Sequence, residues 1–284
     1  MSDISPQMVK ELRERTGVGM SKCKEALDEA KGNMEKAIEI LRKAGMTSAV
    51  KKEEREAKEG LIGYYETKDA IALVEVNCET DFVAQNEKFK IFIDSLAKQV
   101  AELKINSLDS LLNKPSLLDK TMSVEQYRNI VVQALGENIQ VRRLLLIEKS
   151  LDSSYGIYAH MKGKILSVVE LKGASGEDIL AKDIAMHIAA SSPDYLNANA
   201  VPKDVIEKEK EIARSQITGK PENVVEKIVM GKLQAFFDEV CLVCQKYVKD
   251  PNISIQQLVD NKGKSINKSM QINHFWRWKV GDGR

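Results

Sequence analysis

With 284 residues, 43% of them hydrophobic, the chain can build one large domain or two ordinary ones plus a small appendage. Its 43 Lys and Arg against 42 Asp and Glu leave a net charge of +1, so no global field favours a polyanion, and nucleic acid is not expected as the main partner. The longest apolar runs, such as Leu144–Ile147, fall far short of the roughly 20 residues of a membrane span, and the N-terminus shows no secretory signal; no membrane partner and a cytoplasmic location are expected.

Ser5-Pro6 offers N-cap and first-turn chemistry, and Val9, Leu12 and the stem of Arg13 repeat at helical spacing, which predicts a helix to about Arg15. Thr16-Gly17-Val18-Gly19 predicts a tight turn. Ser21 is expected to cap a second helix through Cys23, Ala26, Leu27 and Ala30. Lys31-Gly32-Asn33 turns into a third with Ala37, Ile38 and Leu41, stopped by Gly45. These three helices can share one small core over residues 1–50. The stretch Lys51 to Glu59 has mixed charge and no apolar face, and predicts an exposed helix or solvated linker across residues 51–60.

Leu61 to Thr67 and Ala70 to Cys78 read as two strands of a hairpin turned at Lys68-Asp69. A helix follows from about Glu87, with Phe89, Phe92, Ile93, Leu96 and Val100 on one stripe. The same order returns 95 positions later: Ala70–Val76 matches Ile165–Leu171, and Phe89 and Ile93 match Ile184 and Ile188. A duplicated strand–strand–helix lobe is the expectation. Between the copies lie leucine-rich turns near Leu111-Leu112 and Leu117-Leu118, a capping box at Ser123 and Gln126 opening a helix ended by Gly136, and a strand from Ile139 to Ile147. The first lobe is therefore drawn as residues 61–148.

Asp204 to Ser215 reads as a charged helix, Gly219-Lys220-Pro221 as a turn, and Glu222 to about Tyr247 as a second helix. The second arm carries more apolar surface than the first can cover, so it is expected to pack on something else as well. Packing on the core and self-association both satisfy that need, which leaves homodimerisation open. A short helix capped by Ser254 and an alternating strand from Met270 to Val280 complete the chain. The second lobe is drawn as residues 149–198 and 232–284, with the hairpin, 199–231, inserted.

Catalytic chemistry is not evident, and no enzyme activity, cofactor or metal is expected. Gly263-Lys264-Ser265 resembles the end of a P-loop, but Leu258 stands where the first glycine belongs. Gly17-Val18-Gly19 lacks a third glycine, with Lys22 in its place, and follows a helix rather than a strand. Cys23, Cys78, Cys241 and Cys244 are too few for a disulfide framework. Cys241 and Cys244 have the spacing of zinc sites and redox dithiols. They lack a second ligand pair, however, and are expected toward the end of a helix rather than at its start. His187 falls on a helix stripe and reads as a core histidine.

Two segments carry a family resemblance. Leu12-Arg13 with Thr16-Gly17-Val18-Gly19-Met20 and Cys23-Lys24-Glu25-Ala26-Leu27 is one, and Glu75-Val76-Asn77-Cys78-Glu79-Thr80-Asp81-Phe82-Val83-Ala84-Gln85-Asn86 is the other. Together they resemble the signatures of translation elongation factor Ts. Weaker echoes at Gly136-Glu137-Asn138-Ile139, Tyr158 with His160, Gly163-Lys164, Ala185–Ala190 and Gly219-Lys220-Pro221 extend the match over nearly the whole chain.

The resemblance implies an α+β fold: a three-helix ubiquitin-associated-like domain, then two related α+β lobes with small antiparallel sheets and a projecting helical hairpin. It implies a guanine-nucleotide exchange factor whose partner is the GTPase elongation factor Tu. Thr80, Asp81, Phe82 and Val83 would be the partner-binding tip, disturbing the Mg²⁺ site of the GTPase and weakening its grip on GDP. Arg13 and Met20 would contact the GTPase's nucleotide domain, and His160 another of its domains. Gln85 and Leu166-Ser167 depart from the family pattern, and the extra C-terminal helical segment of some members is not expected here. Without the resemblance, two other readings stand: an adapter whose three helices bind a ubiquitin-like partner, and a thiol enzyme using Cys241 and Cys244.

Overall fold

Ser5 starts the first helix, α1 (Pro6–Thr16), with its Oγ accepting the Met8 amide at 3.2 Å. The computed structural model describes residues 4–16 and 18–282; Gly17 of the predicted turn, residues 1–3 and residues 283–284 lie outside the described residues. Helix α2 (Met20–Glu29) is entered from an extended Gly19 without a side-chain cap. The expected cap, Ser21, lies inside that helix and donates to Glu25 Oε1 at 3.0 Å. Helix α3 (Met34–Lys52) runs straight through Gly45, the expected stop. A Cβ at Gly45 would come within 3.3 Å of the Asn129 carbonyl, so this glycine allows a close approach and does not end the helix. Val9, Leu12, Cys23, Ala26, Leu27, Ala37 and Leu41 form the core of the three-helix bundle.

Strands β1 (Glu59–Glu66) and β2 (Ala70–Cys78) form the expected hairpin, followed by α4 (Asp81–Ala84) and α5 (Glu87–Leu103). Helices α6 (Leu108–Asn113) and α7 (Val124–Leu135) lead to β3 (Gln140–Glu148). Leu111-Leu112 thus lies in a helix, with Leu111 fully buried. The sheet order β1-β2-β3 places β2 in the middle, which accounts for its nearly unbroken apolar run: every residue of it is buried. Ala72, Val74 and Val76 share one core with Phe89, Phe92, Ile93, Leu96 and Val100 of α5. The Ser123–Gln126 capping box opens α7, and Gly136, at φ 82°, closes it. Helix α3 packs along α7, and Lys52 Nζ donates to the Val132 carbonyl at 3.5 Å. The bundle and this lobe belong to one compact unit, residues 1–149 with 162–164 and 279–284.

The second unit comprises residues 150–161 and 165–278. It contains β4 (Ser153–His160), β5 (Ile165–Lys172), α8 (Asp178–Ser191), α9 (Lys203–Ser215) and α10 (Glu222–Val240). Strands β6 (Lys246–Tyr247) and β7 (Asp250–Ser254), helix α11 (Ile255–Ile266) and strand β8 (Gln271–Lys279) complete it. The order β4-β5-β8 repeats the first lobe's plan: an antiparallel hairpin, a helix over it, and a later strand returning beside the central one. Helix α8 lies so close to β4 that a Cβ on Gly156 would sit 2.0 Å from the Ala181 carbonyl.

Helices α9 and α10 form the hairpin, and α9 is the principal packing partner of α10. Val229 and Leu233 of α10 are buried, whereas Met230 stays 57% exposed. Helix α10 also ends earlier than expected. Cys241 is extended (φ −100°, ψ 119°), and the chain pairs instead with residues 194–196, where Asp194 and Tyr195 both donate to the Val240 carbonyl at 3.0 Å. The architecture is α+β with small antiparallel sheets. Among the described residues, no helix is long and apolar enough to cross a membrane.

Candidate partner-binding tip

Strand β2 ends at Cys78, and two residues later the extended Thr80 (φ −126°, ψ 157°) caps α4 by accepting the Val83 amide at 3.4 Å. Helix α4 is a single turn. Asn86 then caps α5 by accepting the Lys88 amide at 2.9 Å, so the chain leaves the turn as abruptly as it entered. The inner side of α4 buries Ala84 and rests Val83 against the lobe's core. The outer side carries Asp81 and Phe82 into solvent, where Phe82 is 84% exposed. Burying such a ring is worth about 1.5–3 kcal/mol, so an exposed phenyl on a fixed turn is a ready anchor for another surface.

The turn is held from beneath by Glu137. Its Oε2 accepts the amides of Glu79 and Thr80, each at 3.0 Å, and its Oε1 accepts the Thr80 hydroxyl at 2.5 Å. In return, Glu79 Oε1 accepts the Asn138 amide at 2.7 Å and lies 3.6 Å from Arg55 Nη1. The Cys78 thiol donates to the Thr80 carbonyl at 3.1 Å; burial pushes its pKa up to about 12, and the neighbouring Glu137 carboxylate acts in the same direction. Glu137 falls within the Gly136–Ile139 family echo, from which no role for it follows. No spacing rule links position 137 to positions 79 and 80.

The structure brings Thr80, Asp81, Phe82 and Val83 together on one turn. Arg13 is exposed on α1, and Met20, 50% exposed, is the first residue of α2; both belong to the same unit as the tip. His160 is the exposed last residue of β4 in the second unit, its ring stacked on Tyr158 with Nδ1 at 3.4 Å from the phenol oxygen. A left-handed stretch follows it, with Met161 at φ 49° and Lys162 at φ 56°.

His187 is fully buried. Its Nδ1 accepts the Val248 amide at 3.3 Å, which leaves Nε2 to donate to Gln245 Oε1 at 2.9 Å. Burial holds its pKa below the ordinary value. Cys241 and Cys244 lie in the turn after α10, the Cys244 amide donating to the Cys241 carbonyl at 3.0 Å. Burial pushes the Cys241 thiol up to about 11 and raises Cys244 as well, the opposite of an activated thiol. Among the described residues, no group of three or more His, Cys, Asp or Glu side chains could hold a metal ion.

A family model described as Elongation factor TS matches residues 79–282, from the residue before Thr80 to just beyond the last strand. The chain is similar to elongation factor Ts of Protochlamydia amoebophila, 53% identical over 281 residues, covering 99% of this chain and 100% of that protein. It is also similar to the elongation factors Ts of Chlamydia muridarum and Chlamydia caviae, each 46% identical with the same coverage. A signature motif on an exposed turn, a duplicated α+β plan and full-length similarity converge on one assignment: the chain belongs to the elongation factor Ts family.

Proposed function

We propose that this protein is a guanine-nucleotide exchange factor for the GTPase elongation factor Tu, binding it in the cytoplasm and promoting GDP release during translation elongation. The observation that carries this reading is Phe82: an aromatic ring 84% exposed on a one-turn helix that the chain fixes at both ends. The tip Thr80–Val83 enters beside the nucleotide site of the GTPase and disturbs its Mg²⁺ site. Phe82 supplies apolar contact, and Asp81, exposed beside it, redirects hydrogen bonds of the metal-holding loop. Arg13, Met20 and His160, all exposed, add contacts away from the tip.

The energetics follow from linkage, since a partner that binds the nucleotide-free state better lowers nucleotide affinity by the same factor. A ten-thousand-fold faster release needs roughly 5.5 kcal/mol, whereas burial of one Phe supplies about 1.5–3 kcal/mol. Phe82 alone is therefore insufficient, and loss of the partner's metal contacts supplies the remainder. The protein performs no bond-making chemistry in this scheme.

The test is release of a fluorescent GDP analogue from elongation factor Tu into excess GDP, with wild type, with Phe82→Ala and with neither. Strong acceleration by wild type, reduced but not abolished in the variant, supports the reading. Folded wild type that leaves release unchanged refutes it.

A further inference from the structure

We infer that Glu137 is a positioning residue for the tip, aiming Phe82 through Thr80 without itself touching the partner; the inference rests on the exchange reading above. Helix α4 is one turn long, far too short to hold its own geometry. The direction of Phe82 therefore depends on what fixes the turn at its N-terminal side. There, one carboxylate accepts three hydrogen bonds, from Glu79 N, Thr80 N and Thr80 Oγ, at 3.0, 3.0 and 2.5 Å. Charge-assisted bonds of this kind are roughly twice as strong as neutral ones. With its hydroxyl proton committed to Glu137, Thr80 Oγ presents its lone pairs toward the Val83 amide, so the same contact orients the cap of α4.

The clasp is reciprocal and continues inward. Glu79 Oε1 accepts the Asn138 amide at 2.7 Å, and Asn138, almost fully buried, donates through Nδ2 to the carbonyls of Arg55 at 2.7 Å and Glu53 at 3.2 Å. The two residues after the Gly136 cap thus hold both the base of the tip and the chain leaving α3. Glu137 and Asn138 tie the turn that carries Phe82 to residues 53 and 55, just beyond α3. A carboxylate at 137 serves this purpose because two amides and a hydroxyl all need an acceptor, and a carboxylate presents several acceptor sites and no donor.

The experiment measures the limiting rate and the half-saturating concentration of GDP-analogue release for wild type, Glu137→Ala, Phe82→Ala and the double variant. Backbone amide hydrogen exchange at residues 79–83 is followed in the free proteins. Glu137→Ala is expected to lower the limiting rate by about tenfold, with a smaller change in half-saturating concentration, and to speed amide exchange at Thr80 and Val83. In the Phe82→Ala background the same substitution is expected to have a much smaller further effect, limited to what Asp81 on the same turn still contributes. Glu137→Gln keeps an acceptor for the amides and should fall between wild type and Glu137→Ala, which guards against misfolding of the alanine variant. A Glu137→Ala variant matching wild type in rate and amide exchange overturns the inference, as does an effect that multiplies with that of Phe82→Ala. Wild type without exchange activity overturns the exchange reading itself, and the positioning role falls with it.

Discussion

Glu75 and Arg143 face each other across β2 and β3, and Arg143 Nε donates to the Glu75 carboxylate at 2.7 Å. Glu75 is fully buried. It also accepts the amide of Gly281 at 3.0 Å and Asn77 Nδ2 at 3.3 Å, so the acid in the middle of an apolar strand is paired and hydrogen-bonded. Truncating one partner strands the other charge. Arg143→Ala is expected to lower stability by about 3–5 kcal/mol, whereas Glu75→Leu with Arg143→Met should recover only part of it, because the Gly281 amide and Asn77 Nδ2 lose their acceptor. Urea midpoints followed by circular dichroism check this; a single variant as stable as wild type would contradict it.

His187 sets a pH limit on the second unit. Its pKa is held below the ordinary 6.5 by burial, so the folded state keeps the ring neutral while the unfolded chain protonates near 6.5. The stability it contributes is present above about pH 6.5 and is lost as pH falls below that, because protonation of Nδ1 abolishes the acceptor for the Val248 amide. The melting temperature of wild type should fall between pH 7 and pH 5, and His187→Gln, less stable at pH 7, should show a shallower fall.

Gly156 is required by proximity. A methyl group there would sit 2.0 Å from the Ala181 carbonyl, a backbone atom that cannot rotate away. Gly156→Ala should cost about 1–3 kcal/mol or more by prising α8 from β4. Thermal melting monitored by Tyr155 and the tryptophans of β8 would register it, and an unchanged melting temperature would show that α8 can shift freely.

Cys241 and Cys244 should behave as packing residues. With the Cys241 thiol near 11 and Cys244 also raised, alkylation of the native protein at pH 7.5 should be many times slower than in denaturant. Rapid native labelling at either position would reverse that assignment.

Periodicity and capping chemistry are local, and what depends on them was legible. The bounds of β2, the start of α5 at Glu87, the Ser123–Gln126 box and the returning strand β8 all follow from them. The exposed aromatic of the Thr80–Val83 motif was legible too, through its resemblance to a known family and its place at a strand–helix junction.

The elements that sequence reasoning misplaced are those decided by distant neighbours. Gly45 looks like a helix stop, but the cost of a glycine inside α3 is outweighed by the close packing it permits on α7. Helix α10 has an apolar pattern that could continue to Tyr247, yet it ends at Val240 because residues 194–196 offer its next segment a backbone partner.

By itself, then, the sequence determined the α+β class and the duplicated lobe plan, because alternation, helical spacing and caps act within a few residues. Its resemblance to a known family singled out Thr80–Val83 as the tip. Only the tertiary structure decided what holds the tip. The Glu137 carboxylate meets Glu79 and Thr80 across 58 and 57 positions of chain, and hydrogen bonds at such separation are set by how β2, α7 and β3 pack rather than by any local pattern.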